Sequence, residues 1–230
     1  MHGANPLRSR ERSDGQVLKL QGAPFLTIQG EGPYAGLPAV FVRLWGCHLA
    51  CQFCDTDFES EERAWSIYDI ARACRGVSLV VLTGGEPMRQ NLAPLIALLY
   101  AGHAVQIETA GSFWWEELQN LASLKIVVSP KTPHVHPEIR KMAYAWKYII
   151  SESQIIDVDG FPVTDTQDRG SRARPLAKPP TDFPGMNVYL QPMDEGDELR
   201  NRKNLNRCIR LAKTHGYRVS LQQHKIMGVP

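Results

Sequence analysis

Three cysteines stand within eight positions: Cys47, Cys51 and Cys54, in the run Trp45-Gly-Cys-His-Leu-Ala-Cys-Gln-Phe-Cys-Asp-Thr56. Their spacing is C-x3-C-x2-C. Three thiolates on one short loop can hold three irons of a 4Fe–4S cube and leave the fourth iron without a protein ligand. That open iron is a place for chemistry, because a small molecule can chelate it. Phe53 supplies an aromatic wall beside the last cysteine. A tetrahedral zinc with His48 or another residue as fourth ligand is the alternative use of the same side chains.

Other polar groups carry chemistry less specifically. Thr27-Ile-Gln-Gly-Glu-Gly-Pro33 sets Glu31 between two glycines, which let backbone approach a ligand. Its carboxylate can accept from an amidine-like edge such as that of a pterin or guanine ring. Read alone, this run is a turn. Four more motifs follow short apolar runs: Gly84-Gly85-Glu86-Pro87, Glu108-Thr109-Ala110-Gly111, Ser129-Pro130-Lys131 and Gln191-Pro192-Met193-Asp194.

The elements that must position these groups alternate. Apolar runs at 17–20, 41–44, 79–82, 104–107, 126–128, 148–150, 188–190 and 219–221 read as strands. Between them, helices are expected over about 66–74, with Ser66 as N-cap and Asp69 in the capping-box position, from about 91 to Gly102, over 114–121 and over 198–215, where Gly216 is the stop. Such alternation implies a parallel sheet, and continuous apolar strands imply that both its faces are covered. Every polar motif falls just past the C-terminal end of a strand, the rim where α/β barrels keep their active sites. Residues 156–185, with Asp157, Asp159, Asp165, Arg169 and a Pro179-Pro180 pair, lack a helical period and read as an irregular surface insertion in place of a crossover helix. Residues 1–15, polar and carrying Arg8, Arg10 and Arg12, read as a flexible N-terminal extension, leaving 16–230 as a single domain.

With 230 residues, 43% of them hydrophobic and a net charge of +2, the chain has the composition of one globular domain. So small a charge argues for neither nucleic acid nor membrane as a partner. No apolar run is long enough to span a bilayer and none resembles a secretion signal. Five cysteines, three of them clustered, suit a reducing cytoplasm and a metal site better than a disulfide framework. Cys74 lies on the apolar stripe of Ile67, Ile70 and Ala71 and reads as core; Cys208 has no evident partner.

Taken together, the motifs resemble those of radical S-adenosylmethionine (SAM) enzymes, in which an aromatic residue precedes the third cysteine. Within that class the chain resembles the 7-carboxy-7-deazaguanine synthases of the deazapurine (queuosine) pathway. The matching elements are Gln29-Gly30-Glu31-Gly32, Phe41-Val42-Arg43, Cys54-Asp55-Thr56, Gly84-Gly85-Glu86-Pro87, Glu108-Thr109-x-Gly111, Ser129-Pro130-Lys131 and the tail His224-Lys225, Gly228 and Pro230. They run in the same order from about residue 27 to 230, apart from 156–185. A glycyl-radical activase would share the cysteine loop and the Gly-Gly-Glu-Pro turn, but would not need Gln29–Glu31, Cys-Asp-Thr or the tail. A non-catalytic module built on zinc would need none of them.

The resemblance implies a pared-down, partial (β/α)6-type radical SAM barrel. It also implies conversion of 6-carboxy-5,6,7,8-tetrahydropterin to 7-carboxy-7-deazaguanine with loss of ammonia, through a 5′-deoxyadenosyl radical. It gives Cys47, Cys51 and Cys54 to the 4Fe–4S cluster and Thr56 to Mg²⁺. Phe53, Cys54, Asp55, Gly84, Gly85, Glu86, Gly111, Ser129, Pro130, Lys131, Gln191, Pro192, Met193 and Asp194 go to SAM. Gln29, Gly30, Glu31, Arg43, Thr109, His224 and the carboxylate of Pro230 go to the substrate. It further implies a homodimer and a reducing partner such as a flavodoxin.

Overall fold

Residues of opposite character alternate along the strands, and this alternation builds a sheet with two unlike faces. The computed structural model describes residues 5–51, 53–54, 57, 61–121, 123–167 and 174–230. Ten strands form one sheet: β1 (Val17–Gln21), β2 (Phe25–Ile28), β3 (Pro38–Leu44), β4 (Glu62–Ser66), β5 (Leu79–Gly84), β6 (Ala104–Thr109), β7 (Lys125–Val128), β8 (Ala143–Ile150), β9 (Val188–Pro192) and β10 (Arg218–Val219). Among the described residues five α-helices accompany them: α1 (Ile67–Ala73), α2 (Ala93–Leu99), α3 (Pro137–Met142), α4 (Glu198–His215) and α5 (Gln223–Met227). The strand order is β10-β9-β8-β7-β6-β5-β3-β1-β4, with β2 paired to β3 off this path. From β3 to β10 every neighbour is parallel, and β1, β2 and β4 add an antiparallel flank. The order is an open path, so the sheet is a partial α/β barrel rather than a closed one.

One face of the parallel strands carries Val40, Val42, Val80, Leu82, Val105, Ile107, Trp146 and Tyr148, which share the main core with Ile70, Leu95, Leu99, Ile139 and Cys208 of the helices. The other face holds two small apolar clusters, Ala39 with Leu79 and Val81, and Val127 with Ala145 and Tyr189. Further toward the strand ends this face turns polar. The period of two puts Arg43, Thr83, Glu108, Ser129, Lys147 and Gln191 on it, and all six line a cleft. The expectation of two apolar-covered faces is thus corrected: helices cover one face, and the other is the hollow of the partial barrel.

Local signals hold at several ends. Ser66 caps α1, its Oγ accepting from the Asp69 amide at 3.1 Å and donating to the Asp69 carboxylate at 2.7 Å. Gly216 ends α4 with φ +74°. Elsewhere the expected elements shift. Trp114 and Trp115 stay outside any helix, because the Trp115 indole donates to the Met88 carbonyl at 2.8 Å; only a 3-10 helix, Glu116–Asn120, follows. The last strand is the short β10, and the tail winds into α5, which ends on Gly228 at φ +68°. Strand β4 and helix α3 carry too few apolar residues to stand out in the sequence, and β2, Phe25-Leu-Thr-Ile28, is only four residues long.

The stretch 156–185 is irregular, as expected, with one bridge, Ile156 to Pro162. It is not confined to the surface. Phe161, Leu176 and Ala177 join the main core, and the Tyr148 hydroxyl donates to the Ala177 carbonyl at 2.8 Å. Residues 168–173, including Arg169 and Arg172, lie outside the described residues. The arginine-bearing segment before β1 packs against the molecule: Leu7 bridges to Cys47, the Arg8 guanidinium lies 4.8 Å from the Trp45 ring, and that of Arg10 lies 3.9 Å from the Trp115 ring.

The capping interaction gives a test of local stability. Ser66→Ala should cost about 1 kcal/mol and lower Tm by about 2–4 °C, whereas Ser66→Thr should keep most of it; both are read by thermal unfolding followed by circular dichroism.

Candidate active site

Strand β3 ends at Leu44, and the chain turns through Gly46 into the cysteine loop. Cys47, Cys51 and Cys54 pack as one group with Leu49 and Ala110, the residue just past β6. All three are free thiols. The Leu49 amide donates to the Cys47 sulfur at 3.4 Å. Burial pushes the Cys47 thiol up to about 12, so a metal centre there must displace its proton. Among the described residues, no three His, Cys, Asp or Glu side chains converge as the ligands of a single ion do. Three thiols gathered from one loop into the same cleft are the donor set that a 4Fe–4S cube takes. The His48 ring packs on Phe113, centroids 4.5 Å apart, and does not line the cleft. Burial first, and then the Arg89 charge, lowers its pKa to about 4.

The turn after β5 locks onto this loop. Gly85 N–H donates to the Leu44 carbonyl at 2.9 Å and Glu86 N–H to the Gly46 carbonyl at 3.0 Å. A Cβ on Gly85 would lie 2.1 Å from the Gly46 oxygen, and one on Gly84, at φ +112°, would lie 2.3 Å from the Leu44 oxygen. These glycines are demanded by the seat of the cysteine loop, whatever else approaches them. The Glu86 carboxylate is buried and takes three protein donors: the Thr109 hydroxyl at 2.6 Å, the Met88 amide at 3.0 Å and the Ala110 amide at 2.8 Å. Burial raises its pKa more than these donors lower it. Glu86 therefore ties β5 to β6, and one of its four lone-pair positions is left for a ligand. Thr109 is committed in the same way, since its oxygen also accepts from the Gly111 amide at 3.0 Å.

At the other end of the cleft stands Glu31. Lys147, in the middle of β8, donates to Glu31 and, at 2.9 Å, to Glu108. Gln222 and Gln191 donate to the other Glu31 oxygen at 2.8 and 3.1 Å, and Gln29 and Gln106 donate to Glu108 at 3.0 and 2.8 Å. Burial raises the Glu31 carboxyl, but Lys147, Gln222 and the charge of His224 together bring it below its ordinary value. Burial likewise pulls the Lys147 ammonium down, and the charges of Glu108 and Glu31 more than reverse this. Both groups are charged at neutral pH. The Gln191 Oε1 is a buried acceptor with no donor among the described residues.

The C-terminal residues close this end. Gln223 N–H donates to the Gly30 carbonyl at 3.0 Å, and the Thr27 hydroxyl donates to a Pro230 oxygen at 2.7 Å. A Cβ on Gly30 would lie 2.0 Å from the His224 ring, so this glycine admits the tail rather than a ligand.

The cleft, of about 270 Å³, approaches the lower end of organic-ligand pockets, about 300 Å³. It brings together the three cysteines, Phe53, Gly84, Gly85 and Glu86 with Ser129, Lys131, Gln191, Pro192, Met193 and Asp194. Gln29, Glu31, Arg43, Thr109, His224 and Pro230 line it as well. Gly30, Gly111 and Pro130 are not in the lining. Gly111 instead forms a turn at φ +82°, with a Cβ site 2.9 Å from Val135. Asp55 and Thr56 lie outside the described residues. Lys131 folds back, its ammonium donating to the Ser129 carbonyl at 2.8 Å and hydroxyl at 2.6 Å. Asp194 sits at the rim, where an ion pair with Lys225 at 2.6 Å, aided by the Gly196 amide and Asn201, lowers its pKa to about 2.

Lys147 and Gln222 are functional candidates that motif spacing did not single out, and Glu108 stood in a motif but was given no role in the site. Lys147 had a signal: a lysine within the apolar run Ala143-Tyr-Ala-Trp-Lys-Tyr-Ile-Ile150 must find buried counter-charge.

An open parallel α/β sheet with a three-cysteine loop and a Gly-Gly-Glu-Pro turn seated together on its C-terminal rim defines a radical SAM protein. A 7-carboxy-7-deazaguanine synthase from Rhodospirillum rubrum is 42% identical over 243 residues, spanning the whole of both chains, and one from Rickettsia prowazekii is 36% identical, spanning all of this chain and 96% of the relative. The chain belongs to the 7-carboxy-7-deazaguanine synthase family. The crystal structure of QueE from Escherichia coli superposes with a TM-score of 0.62 at 24% identity, covering 92% of this chain and 99% of that one, and so shares the fold. No family model matches the chain.

The buried charge set has a definite pH signature. In the native chain the lowered Glu31 contributes stability above the unfolded carboxyl value, lost as pH falls through the folded one. The raised Lys147 contributes below the unfolded lysine value, lost as pH rises through the folded one. Lys147→Met leaves two buried carboxylates without a cation, at a cost of about 3–5 kcal/mol at neutral pH. Burial then raises the Glu31 carboxyl with no lysine to offset it, so the variant's Tm should climb as pH falls from 7.5 toward 5, unlike that of the native chain. Equal Tm–pH slopes for the two proteins would count against the charge set.

Proposed function

We propose that this chain is a radical SAM lyase that converts 6-carboxy-5,6,7,8-tetrahydropterin to 7-carboxy-7-deazaguanine, releasing ammonia as the ring contracts. The observation that carries the reading is a single cleft with a cysteine group at one end and a charge-stabilised glutamate at the other. Membership of the synthase family supports it.

Cys47, Cys51 and Cys54 would hold a 4Fe–4S cluster, and the inner ends of β5, β6, β7 and β9 would hold SAM. When bound, the cluster supplies the single electron that splits SAM and starts the reaction; the protein's part is aim and exclusion. Ser129, Lys131 and Gln191–Asp194 offer polar walls around the SAM position, and the remaining lone-pair position of Glu86 suits its ammonium.

The substrate reading rests on the opposite end. Glu31 is held as a carboxylate, and with Gln191 and Gln222 on one oxygen and Lys147 on the other it keeps one acceptor position for the N–H edge of a pterin. Gln29 is fixed by Glu108 and accepts the Glu31 amide at 3.1 Å, which sets the turn. Arg43, whose guanidinium lies 4.8 Å from the Phe25 ring, can fork onto the pterin carboxylate. His224 and Pro230 close over that edge. Thr56 and the substrate carboxylate together suit Mg²⁺, a hard cation that keeps most of its waters. A homodimer, a flavodoxin-type reductant and a cytoplasmic setting complete the proposal. No described helix is long and apolar enough to cross a membrane.

The deciding experiment is anaerobic incubation of iron- and sulfide-reconstituted protein with SAM, Mg²⁺, reductant and the carboxytetrahydropterin, followed by mass analysis. The expected product is the substrate less one ammonia. Cys51→Ala should lose iron loading and SAM cleavage together. Glu31→Ala should lose pterin turnover by about a hundred-fold or more, the scale of removing a charged hydrogen-bond partner of about 3 kcal/mol, yet still cleave SAM abortively. Loss of both activities in Glu31→Ala would remove Glu31 from the substrate site.

A further inference from the structure

The three cysteine sulfurs are not equivalently surrounded. Cys47 receives a backbone amide from its own loop. Cys51 meets two side chains from 115 and 116 residues further along the chain: Thr166 Oγ1 at 3.1 Å and Gln167 Nε2 at 3.0 Å. Both belong to 156–185, the stretch that no motif explains.

The corner that carries them is braced on the scaffold. Thr166 N–H and Oγ1 both donate to the Lys131 carbonyl, at 3.1 and 3.2 Å. Gln167 N–H donates to the Asp165 carboxylate at 3.1 Å, and Asp165 N–H to the Arg174 carbonyl at 2.6 Å. The Gln167 amide has one possible orientation. Its Oε1 accepts from the Ala50 amide at 2.9 Å, and a backbone N–H can only donate. That leaves the NH₂ end for the Cys51 sulfur and the Thr166 oxygen, the latter at 2.9 Å.

We infer that the corner formed by Asp165, Thr166 and Gln167 is a hydrogen-bond clamp on the Cys51 branch of the cluster loop, and that Gln167 sets the cluster's reduction potential through the N–H it points at Cys51. The inference deepens the proposed function and rests on the cluster assignment made there. The physical reason is general: a donor aimed at a ligating sulfur withdraws electron density and favours the reduced, more negative cluster, which raises the potential. Gln167 is a positioning residue, since it acts through Cys51. The same amide holds the loop backbone at Ala50, so the stretch 156–185 has a task at the site.

Two variants separate the two ends of the amide. Gln167→Leu removes both, and Gln167→Glu keeps the acceptor for Ala50 while losing the donor to sulfur. The measurement is an anaerobic redox titration of reconstituted protein followed by electron paramagnetic resonance, with iron content determined alongside. In both variants the ratio of reduced to oxidised cluster at the wild-type midpoint should fall about ten-fold, equivalent to 59 mV for one electron. A Gln167→Leu midpoint equal to wild type at equal iron content overturns the inference. Hydrogen exchange on the iron-free proteins covers a variant that loads iron poorly. The Ala50 amide should be protected in wild type and in Gln167→Glu and exchange faster in Gln167→Leu; equal exchange in all three removes the clamp. Should wild type itself bind no cluster, the proposed function fails, while the exchange result still decides the Gln167 contact.

Discussion

A lysine ammonium with 4% exposure, held between two carboxylates inside the hollow of the sheet, constrains everything near it. Removing such an ion from water costs several kcal/mol, and the cost is met only when every donor and acceptor around it is engaged. Lys147, Glu31 and Glu108 are drawn from β8, the loop after β2, and β6, and four glutamines, Gln29 and Gln106 from that same loop and strand and Gln191 and Gln222 from β9 and the tail, satisfy the remaining oxygens. The inner face cannot collapse into an apolar core around such a set. It stays open, polar and pre-arranged, which a site for a donor-rich heterocycle needs. The outer face, with no such charge, packs helices in the ordinary way.

The opposite rim is stiffened by backbone rather than by charge. Gly84 and Gly85 let the turn after β5 interlock with the start of the cysteine loop, and Glu86 fastens that turn to β6. Behind them the buried Arg89 guanidinium donates to the carbonyls of Arg8, Ser9 and Trp45, so the segment ahead of β1 is bound to the same corner. Arg8 and Arg10 spend their cationic faces on Trp45 and Trp115 of the same chain. The glycines of the turn are therefore explained twice, once by the loop they seat and once by the ligand they are read to approach. The first explanation is visible in the packing.

Site and fold were unequally legible in the sequence. The cysteine spacing, the polar motifs at strand ends and the helix 198–215 were readable because each depends on neighbours in sequence: ligand spacing, the strand-to-turn change and a glycine stop. The tail was harder. Its helix has five residues and a mixed pattern, yet it places Gln222, His224 and Pro230 in the cleft. The stretch 156–185 has no period at all, and only the packed chain shows Phe161 in the core and Gln167 at Cys51.

By itself, then, the sequence determined that three thiols share a loop, that short apolar strands alternate with helices, and that carboxylates, glycines and a lysine recur where strands end. These are short-range properties, written in spacing and period. The tertiary structure decided which face of each strand looks into the hollow, which cation answers Glu31, and which distant segment reaches the second cysteine. A period of two says that alternate side chains part company, but not on which side the charge can be satisfied. That choice belongs to contacts between residues more than a hundred positions apart, made only when the whole sheet is assembled.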